Sequence, residues 1–186
     1  MRIKYNAPAV LTFTFISAAV LILSLTVLPS LTEAWFVVPG RGHFSPRRVK
    51  SWVTLFTHVL GHANWNHFIS NFAYILLIGP ILEDHYGSFS LFLMMLVTAA
   101  VTGVLNILFF ASNLLGASGV VFMMILLASF TNFNKGEIPL TFILILVLYL
   151  GRELLNSFMN DNISEFAHIA GGFCGSLFGF FRAPGR

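Results

Sequence analysis

Ser112-Asn113-Leu114-Leu115-Gly116-Ala117-Ser118-Gly119-Val120-Val121-Phe122 lies in a stretch with no Asp, Glu, Lys or Arg between Asp84 and Lys135. Its first half is rich in turn formers and its second half is apolar, so it reads as irregular backbone feeding a helix that begins at Ser118. The apolar run ends at Thr131, which is short for a bilayer at about 1.5 Å of rise per residue. The helix should therefore begin below the membrane surface, with Ser118 recessed. Non-helical backbone is tolerated at that depth only where it lines protein or a water-filled cavity. A serine between small residues at such a place is a candidate nucleophile, and water beside it is what hydrolysis needs.

Composition agrees with a membrane setting. The chain is 57% hydrophobic and 9% charged, against roughly 25% charged in soluble domains, and its mean hydropathy is +0.86. These values predict an all-α, polytopic membrane protein forming a single domain over 1–186. The net charge of +3 comes from few residues near segment ends, which argues against a nucleic-acid partner. Cys174 is the only cysteine; no intramolecular disulfide is possible, and it is expected to fill core space.

Six transmembrane helices are expected, at 7–28, 67–82, 89–111, 118–131, 138–150 and 166–181, with every charged residue outside them or at their ends. The first, following Arg2 and Lys4, also resembles a secretory signal peptide. It is longer than an h-region of about 7–15 residues and no A-x-A-like cleavage site follows, which favours a spanning helix. Residues 29–66 mix Trp35, Phe36, Phe44, Trp52, Leu55 and Phe56 with Arg41, Arg47, Arg48 and Lys50. That mixture predicts a folded interfacial loop with short helices. Charge does not orient the chain, because the basic residues divide evenly between the two sides.

Two further segments carry polar groups. His168, Gly171, Gly175 and Gly179 recur at i, i+3, i+7 and i+11, one face of a helix that another helix can approach closely. If that neighbour is the helix of Ser118, His168 can reach the hydroxyl as general base; the alternative is a structural histidine on a packing face. His67 and Asn71 share a face at i, i+4, and with the Ser118 amide they offer three donors for an oxyanion pocket. The alternative is a pair of interfacial polar residues. His62 falls before that helix. His58 and His62 are also spaced at i, i+4, but no acidic residue lies between Lys50 and Glu83, and no metal is expected. No span contains an acidic residue, so a hydrolase here would use a Ser–His dyad. The imidazole would then be oriented by packing, and Phe122, one turn below Ser118, is placed to stack on it.

Gly116-Ala117-Ser118-Gly119 with the distant His168-x-x-Gly171-x-x-x-Gly175, His62-x-x-x-x-His67-x-x-x-Asn71 and Glu83-x-x-x-Gly87 resembles the rhomboid family of intramembrane serine proteases. The similarity covers about residues 52–181. It implies a rhomboid-like helical bundle in which Ser118 is nucleophile and His168 general base. It further implies an oxyanion site of His67, Asn71 and the Ser118 amide. His62 would help order the first loop; Gly116 and Gly119 flank the nucleophile, and Gly171 and Gly175 seat the sixth helix against the fourth. No cofactor is implied. Substrates would be single-span transmembrane proteins, admitted past the fifth helix and residues 152–165, in contact with membrane lipid. The implied setting is the plasma (inner) membrane of a prokaryote, with both termini cytoplasmic. The chain departs from the family pattern in having Phe122 where many members carry tyrosine, and in lacking their Trp-Arg pair in the first loop, where Arg47 and Arg48 would substitute. A catalytically silent, client-binding member is the alternative. A carrier or channel is disfavoured because no charged residue lies within the spans.

Overall fold

The computed structural model describes residues 2–131, 140–145, 147–148 and 164–181. Helices follow one another as α1 (Pro8–Thr26), α2 (Leu31–Trp35), α3 (Val49–Thr57), a 3₁₀ turn (His58–Leu60), α4 (Trp65–Tyr86), α5 (Ser88–Phe109) and α6 (Ser118–Ala128). The helical residues 140–145 and 147–148, here α7, precede α8 (Ser164–Phe181). No strand occurs among the described residues; one antiparallel bridge, Val38 with Leu114, stands alone. Three helices, α1, α4 and α5, are long and apolar enough to cross a membrane, and Ser118–Ala128 and Ala167–Phe181 are shorter apolar segments. The fold is helical and membrane-spanning. Of the expected fifth span, residues 140–145 and 147–148 are described and helical, while the expected substrate gate at 152–165 falls almost wholly outside the described residues.

The helix at α4 departs from expectation at both ends. It begins two residues earlier than expected because Asn64 caps it, its Oδ1 accepting the His67 N–H at 2.9 Å, which satisfies one of the open amides of the first turn. It also runs past the charged residues expected to close it and stops at Gly87, at φ +82. Glu83 is thereby inside a spanning helix and buried, so the expectation that no span holds an acidic residue is corrected. The reason is a specific partner. Pro8 opens α1, and Glu83 accepts the Ala9 and Val10 N–H groups at 2.8 and 3.0 Å. A carboxylate at a helix N-terminus answers both the unpaired donors and the dipole.

At the centre lies α6, apolar on every side and packed against α4, α5 and α8, as an all-round apolar helix must be. Val120, Met123 and Leu127 on α6 share one core with Phe72 and Ile75 of α4, Leu91 and Met94 of α5 and Val10 and Leu21 of α1. The approach of α8 is closer still. A Cβ added to Gly171 would run into the Gly119 carbonyl oxygen, and one added to Gly175 into that of Met123. The glycine stripe thus lets backbone meet backbone.

Candidate active site

Ser118 occupies the first position of α6, behind a fully buried Ala117, and is itself partly exposed. The segment before it is irregular yet well supplied with partners. Val38 and Leu114 exchange both backbone hydrogen bonds, at 3.0 and 2.9 Å. The Gly40 N–H donates to Asn113 Oδ1 at 3.2 Å, and the Arg41 N–H donates to the Phe110 carbonyl. Buried Asn106 on α5 donates from Nδ2 to the Ser112 carbonyl at 3.0 Å, and the Gly116 N–H donates to the His58 carbonyl at 3.0 Å. Backbone hidden from water must find such partners. The loop between α1 and α4 supplies most of them, which sequence inspection did not foresee. Asn106, a polar side chain within an apolar run, was the available signal.

His67, third residue of α4, brings its ring against Gly116: a Cβ there would lie 2.6 Å from His67 Cε1 and Nε2. Gly116 also adopts φ +113, a conformation that glycine reaches without steric cost. Asn71 lies one turn along and is buried, with Nδ2 donating to the His67 carbonyl at 3.0 Å. An amide nitrogen carries two hydrogens, so one remains beyond that bond. His62 packs edge-on to His67, with ring centroids 5.0 Å apart, and against Phe68 and Phe72 at 5.4 and 5.5 Å. Burial, reinforced by repulsion from His67, lowers the His62 pKa to about 4. His58 is lowered to about 4 by burial, its Nε2–H donating to the Ala99 carbonyl at 3.1 Å. Both imidazoles are held neutral.

From the other side comes His168. Its ring stacks on Phe122 with centroids 4.2 Å apart and planes 9° from parallel. Phe122 lies four residues after Ser118, on the same face of α6. The imidazole therefore packs flat on the residue one helical turn beyond the serine. Gly119, whose added Cβ would stand 3.2 Å from the Ala167 carbonyl oxygen, allows this approach. Ser118, Gly116, His67 and His168 are thus gathered around the start of α6. A cavity of about 650 Å³ opens nearby, lined by Ser24, Thr32, Glu33, His62, Asn113 and Leu115 among others. Neither it nor the separate apolar groove of about 500 Å³ between α1, α3 and α5 is lined by any of these four residues.

Comparison with known proteins identifies the family. Residues 49–185 match the family model described as the Rhomboid domain. The chain is 26% identical over 152 residues to "Rhomboid-like protein 11, chloroplastic" of Arabidopsis thaliana, covering 80% of this chain and 51% of that one. It is 24% identical over 133 residues to "Rhomboid protease GlpG" of Haemophilus influenzae, with 70% and 69% covered. It is 32% identical over 127 residues to "RHOMBOID-like protein 4" of Arabidopsis thaliana, with 64% and 31% covered. The chain spans about half the length of the first of these and about a third of the last. With most of its length inside the matched domain, the chain belongs to the rhomboid family.

Proposed function

We propose that this chain is an intramembrane serine protease that cleaves single-span transmembrane proteins with a Ser118–His168 dyad. The observation that carries the proposal is the stack of His168 on Phe122 one turn from Ser118. It gives the base an orientation without a third, acidic member. In the proposed reaction Ser118 Oγ attacks the scissile carbonyl carbon while His168 takes its proton. Negative charge on the carbonyl oxygen is met by the His67 ring, the free hydrogen of Asn71 Nδ2 and the Ser118 amide. Each such donor is typically worth about 10²–10³ in rate. Collapse breaks the peptide C–N bond, His168 returns the proton to the leaving amine, and water then hydrolyses the acyl-serine by the same route.

The proposal takes the chain as one domain over 1–186 with six spans, three of them supplied by α6, α7 and α8. It needs no cofactor, and it places both termini in the cytoplasm of a prokaryote, with the site opening outward. The relatives are named from both a chloroplast and a bacterium, so a cysteine-accessibility map of the termini in the native host tests that placement. For the chemistry, Ser118→Ala and His168→Ala should each abolish cleavage of a single-span reporter in proteoliposomes. A fluorophosphonate should label wild type and not Ser118→Ala. Cleavage that survives either substitution removes the dyad; an unlabelled wild-type chain that still retains single-span clients favours the silent, client-binding reading.

A further inference from the structure

The outward face of α3 plays no part in the proposed reaction. Val49, Trp52 and Phe56 recur at i, i+3 and i+7 and are 78%, 51% and 41% exposed, while Thr54 and Leu55 behind them are buried. Trp52 is fixed in place: its Nε1 donates to the Pro46 carbonyl at 3.0 Å and its ring meets Phe44 edge-on at 5.3 Å. Beside this face stands exposed Trp35, with Lys50 Nζ 5.8 Å from its ring centroid. Arg41, Arg47, Arg48 and Lys50 are all exposed around the start of α3, and no acidic residue occurs between Glu33 and Glu83. The Glu83 carboxylate is already occupied by the N-terminus of α1.

An apolar, aromatic surface beside four cations with no ion pair among the described residues matches the layer where acyl chains meet headgroups. Water alone would leave the three apolar side chains uncovered. A second copy packed through the same face would bring like charges together. We infer that the outer face of α3, with Arg41, Arg47, Arg48 and Lys50, is a binding surface for anionic phospholipid. Val49, Trp52 and Phe56 enter the acyl boundary and the cations meet the phosphates. The Arg41 backbone also holds the Phe110 carbonyl, so headgroup contact would steady the segment leading to Ser118. That last link rests on the proposed protease reading; lipid binding does not.

The test reads binding without catalysis. The chain has three tryptophans, so a Trp35→Phe/Trp65→Phe variant leaves Trp52 as the reporter. It is reconstituted in phosphatidylcholine vesicles carrying a minor fraction of brominated phosphatidylglycerol or, in parallel, brominated phosphatidylcholine. A basic residue near an anionic surface is worth a factor of about five. The brominated phosphatidylglycerol should therefore quench Trp52 at least about fivefold more effectively per molecule, less so at high salt. Arg47→Gln/Arg48→Gln/Lys50→Gln, which leaves only Arg41 of the four cations, should cut that preference severalfold. As a check free of the tryptophan substitutions, the unaltered chain washed in mixed micelles should retain phosphatidylglycerol over phosphatidylcholine by mass spectrometry. Equal quenching, equal retention, or a preference untouched by the triple substitution overturns the inference. So does a Trp52 shielded from both probes in a chain that sediments as a dimer. An inactive chain that keeps the preference counts against the protease reading alone.

Discussion

Gly116→Ala puts the proposed oxyanion site under a defined stress. The backbone there has φ +113, and the new methyl group would stand 2.6 Å from two atoms of the His67 ring. Holding an L-residue in such a conformation costs about 1–2 kcal/mol. Ordinary carbon contacts lie at about 3.5–4.0 Å, so the ring must withdraw by roughly 1 Å. A displacement of that size in a positioned group costs about 10²-fold in rate, close to the loss of one oxyanion donor. Cleavage of a single-span reporter in proteoliposomes should therefore fall about a hundredfold, while stability in micelles falls by about 1–3 kcal/mol. Gly42→Ala separates the two costs, because Gly42 has φ +85 with nothing near its absent Cβ; it should show the stability loss with little change in rate. In a His67→Ala background no ring remains to displace, so adding Gly116→Ala should cost little further rate. If the two rate losses instead multiply, or if Gly42→Ala slows the reaction as much as Gly116→Ala, the displacement argument is wrong.

Other perturbations probe the supports. Phe122→Leu removes the ring beneath His168 and keeps apolar bulk; a stack worth about 0.5–1.5 kcal/mol implies up to about tenfold slower cleavage, whereas Phe122→Tyr, which preserves the ring, should stay near wild type. Glu83→Gln removes the charge and turns one acceptor oxygen into an NH2 group, leaving one of the Ala9 and Val10 amides without an acceptor; it should cost about 1–3 kcal/mol in denaturant unfolding, with the rate per folded molecule unchanged, and an unaltered midpoint would rule out the cap. His58 and His62 have folded pKa values near 4 against about 6.5 in an unfolded chain. The unfolded state alone takes up these protons as pH falls from about 6.5 to 4, so stability is full above that window, declines through it by up to about 3 kcal/mol per histidine, and levels off below. His58→Gln and His62→Gln should each flatten the decline, and a pH-independent wild-type midpoint would refute it.

The helices were largely legible because apolar runs bounded by charges have few other uses in a chain this poor in charge. Helix α5 is offset from its expected range by one or two residues at each end, and the stripe Gly171, Gly175 and Gly179 pointed to a close helical neighbour that turned out to be α6. What misled was treating a charge as a boundary: Glu83 reads as solvent-exposed until its partner, some seventy residues upstream, is seen. That α8 packs on α6 was an assumption about which helices touch, and the roles proposed for His67 and His168 toward Ser118 build on it. The support of residues 110–116 did not follow from spacing. Its bonds join backbone groups of Val38, Gly40 and Arg41 to Leu114, Asn113 and Phe110, and backbone carries no side-chain pattern to read.

That lone bridge between Val38 and Leu114 has a consequence for anyone dividing the chain. A fragment trimmed to residues 49–185 would carry every candidate catalytic side chain yet lose the opposite bank on which the run-up to the serine rests. Grafting a foreign segment in place of residues 36–41 would likewise disturb, from afar, the backbone that leads to Ser118. The side chains of the candidate site and part of the backbone support beneath it come from different parts of the chain.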